Sequence, residues 1–583
     1  MDIFAEYTAL VREALVSLWP DEVQASGLAE KFVVEPPRDA AHGDLSTNAA
    51  MVAAKPLGKN PREIAVRLSE ALAGNPDIEA VEIAGPGFLN LRLKAEVWQR
   101  VPAAIFRIGA GYGRTDVGEG QRVNVEYVSA NPTGPMHVGH TRGAVYGDTL
   151  ASLMAFSGFD VTREFYMNDA GGQVDVLARS AFLRYREALG EKIEIPNGLY
   201  PGDYLVPVGA GLKDAFGDSL LDKPESEWLP VVRERAIDAM MDLIRQDLAS
   251  LNVHHDVFFS ERSLHGPDGD IVSTLAWLRE QGLVYQGRLA PPKGKLPDEW
   301  EDREQTLFRA EQFGDDTDRA LVKSDGTYTY FAADIAYHRN KVLRGFYHLI
   351  DVLGADHSGY VKRIQAATRA ISENKAEVDV RICQLVRLLR DGETVKMSKR
   401  SGDLVTVADL VDEVGPDAVR FMLLFRRNDM AMDFDFAVVK EQSRDNPVFY
   451  VQYAHARVCS IFRTAAREMP DLDLETLDFG GLDYSEIKSD RELDLIKVLA
   501  QWPRTVAAAA LAHEPHRIAF YLHEVASVFH GLWAQGNENL DLRFVNVDQR
   551  TLTISRLGLA HAVRQVLRNG LAILGVTAPE ELS

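Results

Sequence analysis

The sequence predicts an α/β protein whose central domain is a parallel sheet with crossover helices, preceded by a small α+β domain and followed by an all-helical one. Three observations predict it. Arg122 to Val128 (RVNVEYV) sets Val123, Val125 and Tyr127 against Asn124 and Glu126 with the period of a strand. A Ser/Asn/Pro/Gly turn over Ser129 to Pro135 then leads into a helical pattern through Val145, Leu150, Leu153, Met154 and Phe156. Before about residue 115 short strand and helix patterns are mixed, and from about Asn446 only helical periodicity remains.

At 583 residues the chain exceeds one hydrophobic core and suggests about three or four domains. With 46% hydrophobic and 26% charged residues, its composition is that of an ordinary soluble protein. Two cysteines, Cys383 and Cys459, permit neither a disulfide framework nor a cysteine-based zinc cluster, which fits a reducing cytoplasm. No apolar run reaches the roughly 18 residues of a membrane span, so no membrane association is expected. The formal net charge of −22 opposes non-specific binding of nucleic acid, yet leaves room for a polyanion held by local basic patches.

In chain order, the first segment is amphipathic, with Ile3, Phe4, Tyr7, Leu10, Val11, Ala14, Leu15 and Leu18 on one face and no basic lead. It reads as a core-facing helix, not a signal peptide. A strand at Phe32 to Glu35, a turn over Pro36 to Asp44, a helix through Ser46 to Lys55 capped by Asp44 or Ser46, a second helix over Pro61 to Leu72, and strands near Val81 to Ile83 and Phe88 to Leu93 complete the domain over residues 1–115. The run Gly109 to Gly113 precedes a strand, whereas the dinucleotide fingerprint follows one and opens a helix; it reads as a linker. The central domain is expected over 116–445, with an insertion at about 175–255, and the helical domain over 446–583.

The helix expected after Pro135 begins at an anion site, because its first N–H groups lack partners and its dipole is positive there. His137 and His140 lie three apart and share a face, while Gly139, Gly143 and Gly147 recur every four residues and leave a groove for a flat ring such as adenine. An isolated HxxH motif more often holds one solvated and one core histidine; the preceding strand and turn reverse that preference here and favour the anion site. Further on, Lys396-Met397-Ser398-Lys399-Arg400 follows a hairpin turn at Asp391-Gly392 and places two cations in one loop, suited to clamping phosphates. Val352 to Tyr360 reads as a strand end opening into a loop and helix at the rim where open α/β sheets bind ligands; Asp356 and His357 there fit a ligand contact or a helix cap. Thr406 and Asp409 form a capping box, and Asp417 is expected to cap the next helix.

Asn131 to His140 resembles the first signature of class I aminoacyl-tRNA synthetases, usually His-Ile-Gly-His and here with Val138 in second place, and Lys396 to Arg400 resembles the second. The resemblance implies a Rossmann-like catalytic domain that binds ATP through Pro135, Met136, His137, Val138, Gly139, His140, Gly143, Lys396, Met397, Ser398 and Lys399. His137, His140, Lys396 and Lys399 would be its catalytic residues, acting with Mg²⁺ that takes no ligand from the protein.

Three acids stand out: Glu126 on the strand before the first signature, and Glu261 and Asp334 between the two signatures. The chain resembles arginyl-tRNA synthetases here. That resemblance implies Glu126 and Asn131 about the amino end of arginine, Glu261, Tyr330 and Asp334 facing its guanidinium, and His137 and His357 beside them. Tyr330 and Asp334 are one helical turn apart. The chemistry agrees, since a guanidinium is a planar fork of donors that carboxylates meet bidentately, and a site built for it rejects analogues by a factor on the order of 10⁴.

For the nucleic acid, His42 to Asn48 and Gly85 to Phe88 are similar to the N-terminal domain of arginyl-tRNA synthetases, which grips the tRNA elbow; a cap and a turn explain the same residues. Asn446 to Arg457 resembles the opening of that family's anticodon-binding domain, and Phe449, Tyr450 and Tyr453 fit base stacking or a core. Arg543, Arg550, Arg556, Arg564 and Arg568 meet one acid, Asp548, and fit phosphate contact or a solvated face. The implied tRNA-binding set is Asn48, Phe449, Tyr453, Arg457, Arg556, Arg564 and Arg568, and the implied partners are tRNA(Arg) and L-arginine, bound by a monomer. A class I synthetase for another amino acid and a non-catalytic RNA-binding paralogue are the rival readings. The scarcity of cysteines and the intact signatures weigh against them.

Overall fold

The computed structural model describes residues 1–289, 303–395 and 405–582. Its centre is a five-stranded sheet in the order Glu377–Cys383, His348–Gly354, Arg122–Glu126, Asp160–Met167, Val257–Ser260, parallel throughout. The chain lays down Arg122–Glu126 first, runs to one side through Asp160–Met167 and Val257–Ser260, then crosses back to add His348–Gly354 and Glu377–Cys383. The order therefore reverses between Arg122–Glu126 and His348–Gly354, and the crevice beyond the C-terminal ends of those two strands is where an open α/β sheet takes its ligand.

The strand Arg122–Glu126 is buried on both faces despite its alternation: Val123, Asn124, Val125 and Glu126 are all buried. A central strand is covered on both faces. Here the polar face is covered by charge, with Asn124 donating to Glu164 at 2.7 Å and Glu126 bound to Lys341 at 2.6 Å.

The region expected as an insertion is helical. Gly172–Ala188, Val206–Phe216 and Glu225–Ser250 form the crossover between two adjacent parallel strands and enclose their own small core around Leu177, Tyr185, Leu212, Trp228 and Met240. A second addition, the antiparallel strands Val284–Gly287, Gln305–Phe308 and Arg319–Val322, was not anticipated. The hairpin turn is present: Val386–Arg390 pairs with Glu393–Thr394 around Asp391 and Gly392, both at positive φ.

The N-terminal domain packs Ile3–Leu18 and Pro61–Leu72 on a four-stranded antiparallel sheet. The helix expected from Ser46 instead starts later. Leu45–Thr47 is a strand, the helix is Ala49–Leu57, and neither Asp44 nor Ser46 caps it. Asp44 accepts the Leu93 N–H at 2.8 Å and pairs with Lys497 at 2.7 Å, so a tertiary role displaced the local one. The strand expected from Phe32 is limited to Val34–Glu35, and that near Val81 extends over Ile78–Ala84.

The glycine run is more than a spacer. A Cβ on Gly113 would lie 2.1 Å from the Trp502 ring nitrogen, and Trp502 donates to the Tyr112 carbonyl at 2.9 Å, locking this segment onto the helical domain. Asp417 does not cap its helix, Pro416–Leu424, whose N-cap is Gly415. Its carboxylate receives Gln452 at 2.9 Å and the Thr577 N–H at 3.1 Å. Buried Arg420 completes the junction by donating to Asp148 on the signature helix, to the carbonyls of Leu251 and Asn252, and to that of Leu574.

Candidate active site

The loop after Arg122–Glu126 opens with Val128 at φ 72° and Ser129 at φ 44°. Left-handed backbone is costly for a β-branched residue, on the order of 1–3 kcal/mol, and persists only where surrounding contacts fix it. Ser129 Oγ supplies two such contacts, donating to Glu126 at 3.0 Å and accepting the Tyr166 N–H at 3.1 Å.

The helix Val138–Phe156 starts where the sequence placed it, with His137 as its N-cap. His137 Nδ1 accepts the Gly139 N–H at 3.1 Å, and His140 Nδ1 accepts the His137 N–H at 3.3 Å, a capping box built from imidazoles. Because both Nδ1 atoms accept, both rings carry a proton on Nε2, the donor a phosphoryl oxygen needs. The rings lie 4.0 Å apart. A Cβ on Gly139 would lie 2.8 Å from the His137 ring, so glycine is what allows the cap to fold back.

Both histidines line a cavity of about 750 Å³ at the point of strand-order reversal, with Val128–Asn131, Val138, Gly139, Gly143, Val352–His357 and Cys383–Val386. Gly143 opens onto it, the atom nearest to a Cβ there being Val352 Cγ1 at 3.9 Å. Gly147 does not. A Cβ on it would meet the Tyr127 ring at 2.3 Å, so this third glycine serves helix-on-strand packing rather than the groove. Met136, expected to touch ATP, is only 1% exposed and does not line the cavity; its backbone is what is used, the N–H given to Asp247 at 2.8 Å and the carbonyl accepting Val407 N–H at 3.0 Å. Pro135 also lies outside the lining. Lys396, Met397, Ser398 and Lys399 lie outside the described residues. The segment that follows them is tied to the first signature, with His137 bridged to Thr406 and Val138 N–H donating to the Val405 carbonyl at 3.2 Å.

Beneath one end of the cavity the expected acids converge. Fully buried Lys341 sits between Glu126 at 2.6 Å and Asp351 at 3.1 Å, and these carboxylates hold its ammonium charged despite burial. His338 gives Nε2 to Asp351 at 2.9 Å and Nδ1 to the Asp334 carbonyl at 2.8 Å. Both partners are acceptors, so the ring donates twice as an imidazolium; burial opposes that charge, but the Asp351 carboxylate prevails and its pKa is raised. Asp334 receives the Tyr360 hydroxyl, and burial pushes its carboxyl up to about 6. Glu261, 6% exposed, is raised by burial, partly offset by His265 at 3.4 Å, and Asp334 adds to the shift.

The tyrosine at the middle of these acids, Tyr166, did not stand out in the sequence. Burial raises its pKa, and the charges of Glu261, Asp334, Glu126 and Asp169 add to the shift. Its ring packs 4.6 Å from Tyr337. Lys341 could have been found: it lies seven residues after Asp334, two turns along the same face of Tyr330–Leu343. Tyr330 stands one turn before Asp334 at the start of the same helix, 69% exposed, and does not line the cavity. Asn131 is exposed and donates to Gln173 at 3.0 Å, and His357 is exposed beside Asp356 at 3.5 Å.

In the helical domain Arg457 lies between Tyr453 (4.4 Å) and Trp533 (3.9 Å) and holds His530 at 2.7 Å, beside a cleft of about 550 Å³. Phe449 stacks on Tyr453. Arg556 contradicts its expected role at a phosphate. It is 3% exposed and bound to Glu492 at 2.6 Å and to the carbonyls of Arg543 and Asp541, an internal strut. Arg550 meets a second acid, Asp471, at 2.8 Å. Arg564 lies over Phe462, Arg568 is exposed, and Asn48 is occupied in receiving the Val33 N–H.

A parallel sheet reversing at a crevice, imidazoles capping a helix that faces it, and a helical C-terminal domain joined to it together define a class I aminoacyl-tRNA synthetase architecture. Family models match in agreement: the arginyl tRNA synthetase N terminal domain over residues 5–93, the catalytic domain of tRNA synthetases class I (R) over 103–197 and 232–438, and the DALR anticodon binding domain over 451–582. The chain is 59% identical over 585 residues to the arginine–tRNA ligase of Rhizobium meliloti (strain 1021) and 60% identical over 586 residues to that of Methylobacterium sp. (strain 4-46), covering 100% of each chain in both cases. The Thermus thermophilus arginyl-tRNA synthetase structure shares the fold, with a TM-score of 0.70 at 21% identity over 98% of this chain and 100% of that one. This chain belongs to the arginyl-tRNA synthetase family.

Proposed function

We propose that this protein activates L-arginine with ATP and transfers it to the 3′-terminal adenosine of tRNA(Arg), releasing AMP and pyrophosphate. The observation that carries the reading is the adjacency of two unlike sites: imidazole Nε2–H donors at a helix N-terminus facing the 750 Å³ cavity, and a carboxylate cluster reached from its edge through Ser129 and Glu126.

The arginine carboxylate attacks the α-phosphorus of ATP in line; the bond to the bridging oxygen breaks and pyrophosphate leaves with the electron pair. His137 and His140 donate to the phosphoryl oxygens as charge grows there, and Lys396 and Lys399 act on the same charge. Mg²⁺, when bound with the nucleotide, would neutralise triphosphate charge. Glu126 and Asn131 receive the α-ammonium, while Asp334, Glu261 and Tyr330 receive the guanidinium. The 2′-hydroxyl of the tRNA adenosine then attacks the carbonyl carbon of arginyl-adenylate, and AMP departs. In the helical domain Phe449, Tyr453 and Arg457 supply stacking and charge to unpaired bases, with Arg564 and Arg568 nearby.

Domain boundaries at about 115 and 445 are part of the proposal. So is a cytoplasmic, monomeric enzyme: two buried free cysteines fit a reducing compartment, while the monomer rests on the family alone. No helix among the described residues is long and apolar enough to cross a membrane. ATP–pyrophosphate exchange with each amino acid, with and without total tRNA, tests the reading. Arginine alone should support exchange; exchange with another amino acid, or with none, overturns it.

A further inference from the structure

The signature loop is strained where it begins, at Val128 and Ser129, and something must hold it where it ends. The helical insertion does so at three points: Gln173 receives the Asn131 side-chain amide at 3.0 Å, Tyr204 gives its hydroxyl to the Thr133 carbonyl at 2.9 Å, and Asp247 receives the Met136 N–H at 2.8 Å. The Tyr204 fit is close, since a Cβ on Gly134 would lie 3.1 Å from the hydroxyl oxygen.

Asp247 is the unusual member. It lies near the end of Glu225–Ser250, is 8% exposed, and burial raises its pKa. Its carboxylate accepts a backbone N–H, that of the residue immediately before the His137 cap. A carboxylate so enclosed is costly unless its bond is needed. On the other side of Met136, the carbonyl accepts Val407 N–H, the start of the helix Val407–Val414 that follows the second signature. Met136 is thus the residue at which the insertion and the segment after residue 404 grip the peptide units on its two sides.

We propose that Asp247 is a positioning residue for nucleotide activation: its carboxylate, assisted by Tyr204, fixes the Thr133–Met136 backbone so that the His137 and His140 Nε2–H groups are aimed at the transferring phosphoryl group. The insertion is then part of the ATP site's geometry. This rests on the arginine-activating reading above.

The test is single-turnover formation of arginyl-adenylate by full-length Asp247→Ala, Asp247→Asn and Tyr204→Phe proteins with tRNA present, active sites being counted by titration. Asp247→Ala should lower the rate per active site about 10- to 100-fold, the range corresponding to a hydrogen bond to a charged group. Arginine affinity should stay within about threefold of wild type, and Asp247→Asn, which keeps an acceptor oxygen, should recover most of the rate. Tyr204→Phe should show a smaller loss of the same kind. Two results overturn the inference: an Asp247→Ala rate per active site equal to wild type, with only melting temperature or active fraction lowered, or equal loss in the Ala and Asn variants. Failure of the wild-type protein to form arginyl-adenylate overturns the functional reading instead.

Discussion

The two halves of the proposed site, one assigned to the nucleotide and one to the amino acid, are built from opposite materials. The nucleotide half is mostly backbone: a strained loop, a helix N-terminus and imidazoles whose orientation is set by amide N–H groups. The proposed amino-acid half is mostly buried side-chain charge, with Lys341, His338, Asp351 and Glu126 joined by ion pairs and the carboxyls of Asp334 and Glu261 both raised by burial, the charge of Asp334 adding to the shift of Glu261. A phosphate is met by many weak donors and tolerates a small shift, whereas a planar cation is met by few strong acceptors whose charge must be right. The halves should therefore fail differently.

The sharpest separation comes from Asp334→Asn. Removing one charge from an enclosed pocket for a cation should lower kcat/KM for arginine by about 10³-fold or more while KM for ATP changes less than about threefold. Steady-state aminoacylation with each substrate varied in turn measures it, and an equal effect on both substrates would erase the distinction between halves. Next in size, His140→Ala should lower kcat by roughly 10²-fold with little change in KM for ATP, as for a donor that acts mainly in the transition state. A rise in KM at constant kcat would make that histidine a ground-state binder.

Acid should also separate them. With its carboxyl raised to about 6 by burial, Asp334 is charged at neutral pH only at a cost, and it is neutral well below 6. An acid whose folded pKa is raised favours the folded state below its unfolded pKa, near 4, and that contribution is lost as pH rises through 6. Bound arginine offsets the lost contribution. Its affinity should fall about tenfold per pH unit below 6, and it should raise the melting temperature more at pH 7.5 than at pH 5. Calorimetric titration and thermal melts at several pH values check both, and a flat profile would remove Asp334 from the cation's contacts.

The mildest test distinguishes two glycines that look alike in sequence. Gly147→Ala places a Cβ 2.3 Å from Tyr127 and should destabilise by about 1–3 kcal/mol, read as a lower melting temperature. Gly143→Ala faces open cavity and should leave stability within about 0.5 kcal/mol while raising KM for ATP.

Local pattern alone determined a good deal of this protein. The strand, turn and helix around Asn131–His140, the Asp391-Gly392 hairpin, the Thr406 capping box and the helical C-terminal quarter are each written within a few neighbouring residues, because dihedral preference, capping and periodicity act over one or two turns. Only tertiary structure decided which polar residues became struts. Arg556 reads as a surface cation but closes on Glu492, sixty-four positions away, Asp44 reads as a cap but binds Lys497, and Asp247 reads as one acid among many but holds the loop before His137. The reason is that a charge is placed by whatever completes its hydrogen bonds once water is removed, and those partners come from parts of the chain that no local window contains.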